Sequence, residues 1–479
     1  MFRRNGAAAL LTAVAALGCG RPADPDPRMI SEWAHTWYGL VRAERLTPPV
    51  ASRLLAYATV ALHEGLAAGL PRLPTAVGAL QGLDSLPQAA AGRHDPTLIA
   101  VAAEAVVLDS LFAEGLPTTR ATVAGLVDSL RQVQAAAGVG AETAARSEDL
   151  GRRIGLAVVA WSRRDGFDST RTMAYTPPVG PGLWVNDSPA SIYSAQNVSG
   201  VTQSITLDNP NNQFRAGRAN DRDLILNRPK PAGLGTLPNF DVTGATEPYW
   251  GSIRPFVLAH WDECPIDPPP PYTTEPGTAL YREAAEVRDA KTNLTPEQRT
   301  IALYWADNPG ETGTPAGHWM SIAAQMISQQ GLGAADAARL MLVAAAAQAD
   351  AFIAGWGYKY HFSLIRPRTY IRRIIEPGWE PLVPTPTFPE YPSGHSTQSA
   401  AAAGAITAFL GPVAFDDSTS LAIGHDVRRF ASFAAAAEEA GMSRIYGGIH
   451  YHAGKNAGKQ VGACIGRLVA ERLGVTPRQ

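Results

Sequence analysis

The sequence predicts an all-α protein made of two helical bundles, interrupted by a long Pro/Gly/Asn-rich excursion. Three observations carry this prediction. Ala/Leu/Val stripes recur at three-to-four spacing on both sides of the excursion, the period of helices with one buried face. Pro, Gly or Asp breakers separate these stripes at ordinary helix lengths. At 479 residues the chain also exceeds what a single small core organises, which points to two domains or one large double bundle.

From the N-terminus, Met1-Phe-Arg-Arg, an apolar run over 7–17 and Gly18-Cys19 read as an export leader over residues 1–19, too short to span a membrane permanently. Ala16-Leu17-Gly18-Cys19 is lipobox-like but departs from the leucine-first form, so Cys19 is a candidate lipid anchor with plain cleavage as the alternative. The expected location is therefore outside the cytoplasm: periplasmic, anchored in the outer membrane as a lipoprotein, or secreted. An N-terminal helical region over 28–167 holds stripes at 29–45, 50–70, 97–115, 118–137 and 141–165. Over 168–275 the texture turns to Pro, Gly, Asn, Asp, Tyr and Trp, which suits an ordered excursion holding short strands and covering a pocket mouth, or else a flexible insertion. Helical texture returns in a C-terminal bundle over 276–475, with stripes at 278–291, 296–307, 316–330, 334–357, 397–410, 418–440 and 451–472. Beyond the leader, no apolar run reads as long enough to cross a bilayer. Cys264 and Cys464 are 200 residues apart, a spacing that does not establish a disulfide, and Cys464 on an apolar stripe reads as a buried thiol.

The charged residues are 18% of the chain and the net charge is −2, so nucleic acid is not an expected partner. The composition assigns no oligomeric state. Three cationic segments near the C-terminus carry more information: Lys359 with Arg366-Pro367, Pro392-Ser393-Gly394-His395, and Ser443-Arg444 with His450. Lys359 and Arg366 are seven apart, two helical turns, so on one helix they share a face that Pro367 would end. Ser393 and Gly394 form a turn before an Ala-rich helix, which leaves free N–H groups pointing at any bound anion. Gly447-Gly448 breaks the third segment between Arg444 and His450. Each segment alone has an ordinary structural explanation: a solvated face, an N-cap, a satisfied core histidine. Together they supply three cations, two imidazoles and free amides, the donor set of a tetrahedral oxyanion.

The pattern Lys-x6-Arg-Pro, Pro-Ser-Gly-His and Ser-Arg-x5-His resembles the active-site signature shared by vanadium-dependent haloperoxidases and the type 2 phosphatidic acid phosphatases. It spans about 305–470 clearly. More loosely, Ala-Tyr-Ala-Thr-Val-Ala-Leu-His-Glu-Gly at 56–65 resembles an early helix of the longer members. The resemblance implies a double helical bundle with vanadate as cofactor and His450 as its axial ligand. It implies that Lys359, Arg366 and Arg444 neutralise the oxygens, with Ser393 and the Gly394 amide donating and His395 as the acid-base group. Trp356 and Phe388 resemble aromatic positions on the halide side of chloroperoxidase-type members, and Asp307 resembles the carboxylate that pairs with the third-motif arginine. One departure stands out: many members carry an acidic or amide side chain a few residues beyond the last histidine, where this chain has Gly454. What orients His450 is thereby left open, a backbone carbonyl being one candidate.

The activity so implied is oxidation of halide by hydrogen peroxide to hypohalous acid, with Lys359 activating the peroxide and an organic acceptor as a further small-molecule partner. The alternative is a secreted acid phosphatase working through a phosphohistidine at His450, and a third reading is a non-catalytic oxyanion-binding protein. The long N-terminal half, Trp356 and Phe388 favour the first.

Overall fold

The computed structural model describes residues 24–171, 173–186 and 245–477. Among these residues, fourteen α-helices and one two-stranded sheet form the regular structure, as the all-α expectation requires. The N-terminal half contributes α1 (Arg28–Ala43), α2 (Pro48–Ala67), α3 (Pro96–Leu111), α4 (Pro117–Ala136), α5 (Ala141–Ser162) and the one-turn α6 (Phe167–Thr170). Proline opens α2, α3 and α4, a position where its missing N–H has no intrahelical partner to lose. Residues 1–19, where an export leader is expected, and residues 187–244 of the excursion lie outside the described residues.

The C-terminal half contributes α7 (Ala279–Thr292), α8 (Pro296–Tyr304), α9 (Thr314–Gln329), α10 (Ala334–Phe362), α11 (Pro367–Ile374), α12 (Gly394–Leu410), α13 (Phe433–Tyr446) and α14 (His452–Arg472). Helix α10 is the axis, packing against α2, α9, α12 and α14. It corrects one expectation, because by length and composition it could cross a bilayer. Its most apolar window is 94% buried, so that apolarity builds the protein interior. One apolar core runs from Met29 on α1 to Val469 on α14. Asp350 on α10 accepts from the N–H groups of Phe256, Val257 and Leu258 at 2.6, 2.9 and 2.8 Å, latching the end of the excursion to the axis. Helix α14 lies close against α12 because Gly462 and Gly466 have no side chain: a Cβ there would stand 2.1 and 2.5 Å from the carbonyls of Thr397 and Ala401.

Three sequence expectations are corrected. Arg366 does not continue the helix of Lys359: α10 ends at Phe362, with Ser363 left-handed at φ 47°, and Arg366 is the extended residue before α11. Proline disfavours helical backbone in the residue before it and is well placed at the first helical position, so Pro367 starts a helix here instead of ending one. The stripe at 418–440 is not one helix. A hairpin of β1 (Phe415–Asp417) and β2 (Arg428–Phe430) precedes α13, which begins after Ser432 accepts from the Ala435 N–H. Over 168–275 the described residues hold the end of α6, a 3-10 turn at Trp250–Ser252 and a single bridge from Leu183 to Leu364, while 187–244, where short strands are also expected, lie outside them. Finally, Cys264 and Cys464 form a disulfide, their Cα atoms 5.9 Å apart.

That bond closes a loop of 200 residues, so it restrains the unfolded chain strongly. Replacing both cysteines with serine should lower unfolding free energy by about 2–5 kcal/mol. Urea denaturation of the variant and the wild type, both unreduced, checks this; coincident midpoints would show that the bond does not stabilise the fold.

Candidate active site

The loop 386–393, the start of α12 and the turn between α13 and α14 meet over the C-terminal end of α10. His450 follows the break at Gly447-Gly448, Gly448 having a left-handed φ of 80°. Its ring is 3% exposed and sits between two partners. Nε2 lies 3.2 Å from Nη1 of Arg366, and Nδ1 lies 2.7 Å from Oε1 of Glu390. Because a guanidinium only donates, Nε2 must accept, and the ring proton therefore sits on Nδ1 and is donated to Glu390. Nε2 of His450 is thus unprotonated, and in this structure its lone pair accepts from Arg366 at the pocket wall.

Glu390 is the orienting group that the motif reading left open, and Gly454 explains its presence. A Cβ at 454 would stand 2.3 Å from Oε1 of Glu390, so the glycine makes room for an acid delivered from the opposite loop. The same oxygen accepts from the Tyr451 N–H at 3.0 Å. Burial raises the Glu390 carboxyl to about 7, against the pull of Lys359 and the Tyr451 N–H. Glu390→Gln and Gly454→Ala, which respectively remove the acceptor charge and displace it, should each weaken orthovanadate binding 10–100-fold, the usual effect of losing such a partner. Isothermal titration calorimetry decides; unchanged affinity in both variants would remove Glu390 from the site.

The structure brings the other predicted residues to the same place. Ser393 is the N-cap of α12, its Oγ accepting from the Ser396 N–H, and its own N–H donates to the Gly454 carbonyl at 2.9 Å. Gly394 and His395 open the helix. Arg366 donates from Nε to the Phe388 carbonyl at 2.8 Å and lies 4.7 Å over the Phe388 ring. Arg444 donates to the Trp305 carbonyl at 2.8 Å, and His395 also bonds that carbonyl. Nε2 of His395 is buried with no hydrogen-bond partner. Trp356 and Phe388 meet at 4.8 Å as an aromatic wall, and Trp356 is held by donation to the Thr246 carbonyl at 3.1 Å, so the end of the excursion does abut the pocket. Asp307 lines the pocket with His395, Arg444 and His450, and Nδ1 of His318 stands 2.9 Å from its Oδ2. Lys359 is placed differently from the motif reading. Its Nζ donates to the carbonyls of Pro389, Glu390 and Pro392, the full complement of an ammonium, and stacks over Phe388 at 5.0 Å. It organises the loop from behind.

The field in this pocket is strongly positive. Burial, then Arg366, Lys359 and Arg444, hold His450 well below the usual imidazole range. Burial and Arg444 do the same to His395, with the Trp305 carbonyl opposing. Burial and Arg366 depress Lys359. A tetrahedral oxyanion would relieve all three at once, and it would meet an accepting Nε2 on His450 and an unpartnered Nε2 on His395. The donor set therefore fits vanadate or phosphate. Glu390 had a local signal, an acid inside the Pro/aromatic motif three residues before Ser393. His318 had none.

Fold and site together define a helical-bundle protein with a histidine-centred oxyanion pocket. A family model described as the second helical-bundle domain of VCPO matches residues 339–475. The vanadium chloroperoxidase of Curvularia inaequalis is 28% identical over 183 residues, covering 31% of this chain and only 30% of that relative's length. The crystal structure of the first bacterial vanadium-dependent iodoperoxidase superposes with a TM-score of 0.76 at 30% identity, covering 94% of this chain and 97% of the other. An apo bacterial vanadium-dependent chloroperoxidase shares the fold with a TM-score of 0.59 at 16% identity, covering 90% and 94%. With such identity across nearly the whole of both chains, this chain belongs to the vanadium-dependent haloperoxidase family.

Proposed function

We propose that the protein oxidises halide with hydrogen peroxide in a vanadate-dependent reaction that yields hypohalous acid. The observation that carries the reading is the accepting Nε2 of His450 inside a buried positive field, beside a second histidine whose Nε2 has no partner. His450 Nε2 would hold the metal, with Arg366 and Arg444 neutralising its oxygens and Ser393 and the Gly394 amide donating to them. Bound vanadate supplies a Lewis acid that activates peroxide toward halide. The chain does the rest. His395, neutral in the positive field, takes up the peroxide proton at Nε2 and returns it to the product. Glu390 fixes the tautomer of His450, Lys359 adds charge through the loop it braces, and Trp356 with Phe388 keeps water out. Iodide, the easiest halide to oxidise and the one named for the structural relative, is the first substrate to try.

The leader and the disulfide both support export, since such bonds persist outside the reducing cytosol. Chelator-stripped protein given orthovanadate should consume peroxide in proportion to iodide and should halogenate monochlorodimedone with bromide. Hydrolysis of p-nitrophenyl phosphate without halide-dependent peroxide consumption would point to the phosphatase reading instead. Binding without either turnover would leave an oxyanion carrier. Recovery of the native chain from the cytosol on fractionation would overturn export.

A further inference from the structure

Asp307, His318 and Asp417 form a buried row that the proposed chemistry does not use. Nδ1 of His318 stands 3.1 and 2.9 Å from the two oxygens of Asp307, and Nε2 stands 2.8 Å from Oδ2 of Asp417. The histidine and both carboxylates are at most 1% exposed. Ionised carboxylates only accept, so a ring that faces one at each nitrogen carries both protons and is an imidazolium. Burial alone would depress its pKa, but Asp307 and then Asp417 push it up to about 10. Tyr304 donates to Asp417 Oδ2 at 2.7 Å, closing the row at its far end.

The near end reaches the oxyanion pocket by two routes. Asp307 lines that pocket beside His395 and Arg444. The His318 ring stacks on Trp305 at 4.5 Å with 16° between the planes, and the Trp305 carbonyl is the one that holds both Arg444 and His395. The connecting segment is strained: Asp307 has φ 47° and the β-branched Thr314 has φ 61°. Such backbone persists only where surrounding contacts impose it.

A carboxylate at the edge of an oxyanion pocket needs explaining, because it repels the ligand. We propose that His318 is a positioning residue whose positive charge lets Asp307 stand at the rim of the pocket without repelling the bound oxyanion. Two carboxylates and one imidazolium give the row a net charge of −1; loss of the imidazolium makes it −2, with one unit at the rim. This inference rests on the oxyanion reading above and extends it to residues outside the three motifs.

Calorimetric titration of orthovanadate and of inorganic phosphate into wild type, His318→Gln, Asp307→Asn and the double variant tests it, with circular dichroism to confirm folding. A charge role predicts that His318→Gln weakens both anions by about tenfold or more, since two buried charges a short distance apart interact strongly. It also predicts that the double variant, restored to −1, recovers most of that loss, which a strut role does not. Should His318→Gln fail to fold, Asp307→Asn decides alone: affinity at or above wild type supports the inference, and weaker binding overturns it. Wild-type affinity in folded His318→Gln, or no recovery in the double variant, also overturns it. If wild type binds neither anion, the oxyanion reading fails first and this inference falls with it.

Discussion

Replacing His450 with alanine is expected to abolish orthovanadate binding and, with it, all vanadium-dependent peroxidation. Among the described residues the pocket contains two imidazoles, and they are not equivalent. His450 is clamped from both sides, by Glu390 at Nδ1 and Arg366 at Nε2, so its lone pair has one direction and one tautomer. His395 is held through the Trp305 carbonyl, with its Nε2 left without a partner. A metal ligand must be deprotonated and fixed in direction, and His450 meets both conditions. The substitution also removes the donor from a buried carboxylate. Glu390, already raised to about 7 by burial, should move further toward its neutral form. Calorimetry with orthovanadate and halide-dependent peroxide consumption measure the two effects. Full activity in this variant would sink the assignment of His450 as ligand.

His395→Ala should separate binding from turnover. General acid-base groups contribute roughly 10²–10⁴-fold, and a loss of that size in turnover is expected here. Vanadate retention should fall only a few-fold, because Arg366, Arg444, Ser393 and His450 all remain. The direction follows from the field: His395 lies well below the usual imidazole range through burial and Arg444, so near neutral pH the anion-free ring is uncharged and available as a base. Its charge is therefore a small part of what holds the anion. Equal losses in retention and turnover would mean that His395 serves binding, and the acid-base role would have to be reassigned.

Much of the fold was legible because helix periodicity is a local property. The stripes at 50–70 and 451–472 became α2 and α14 with ends shifted by a few residues. The pattern failed where tertiary contacts outrank it. Asp417, which the stripe at 418–440 adjoins, is engaged by His318 and Tyr304, and that fixes a hairpin ahead of α13. Pro367 carries the same identity whether it ends one helix or starts another; the left-handed Ser363 decides, and nothing in its neighbours announces it. The motif histidines, arginines, Ser393 and Gly394 lie within three short segments that resemble a family signature, and the structure brings those segments together. Glu390 needed the approach of α14 to become visible as a partner of His450. His318 and the disulfide each join positions far apart in the chain, and no sequence window spans them.

The contact between Glu390 and Gly454 sets a limit on space. One orienting acid serves His450, and the space its oxygens fill is the space a side chain at 454 would enter. A side chain at 454 and the acid on the loop compete for the same volume, so any residue larger than glycine there obliges the Glu390 carboxylate to shift. The freedom of Glu390 to steady His450 thus depends on the absence of a side chain at 454, although 64 positions separate them in the sequence.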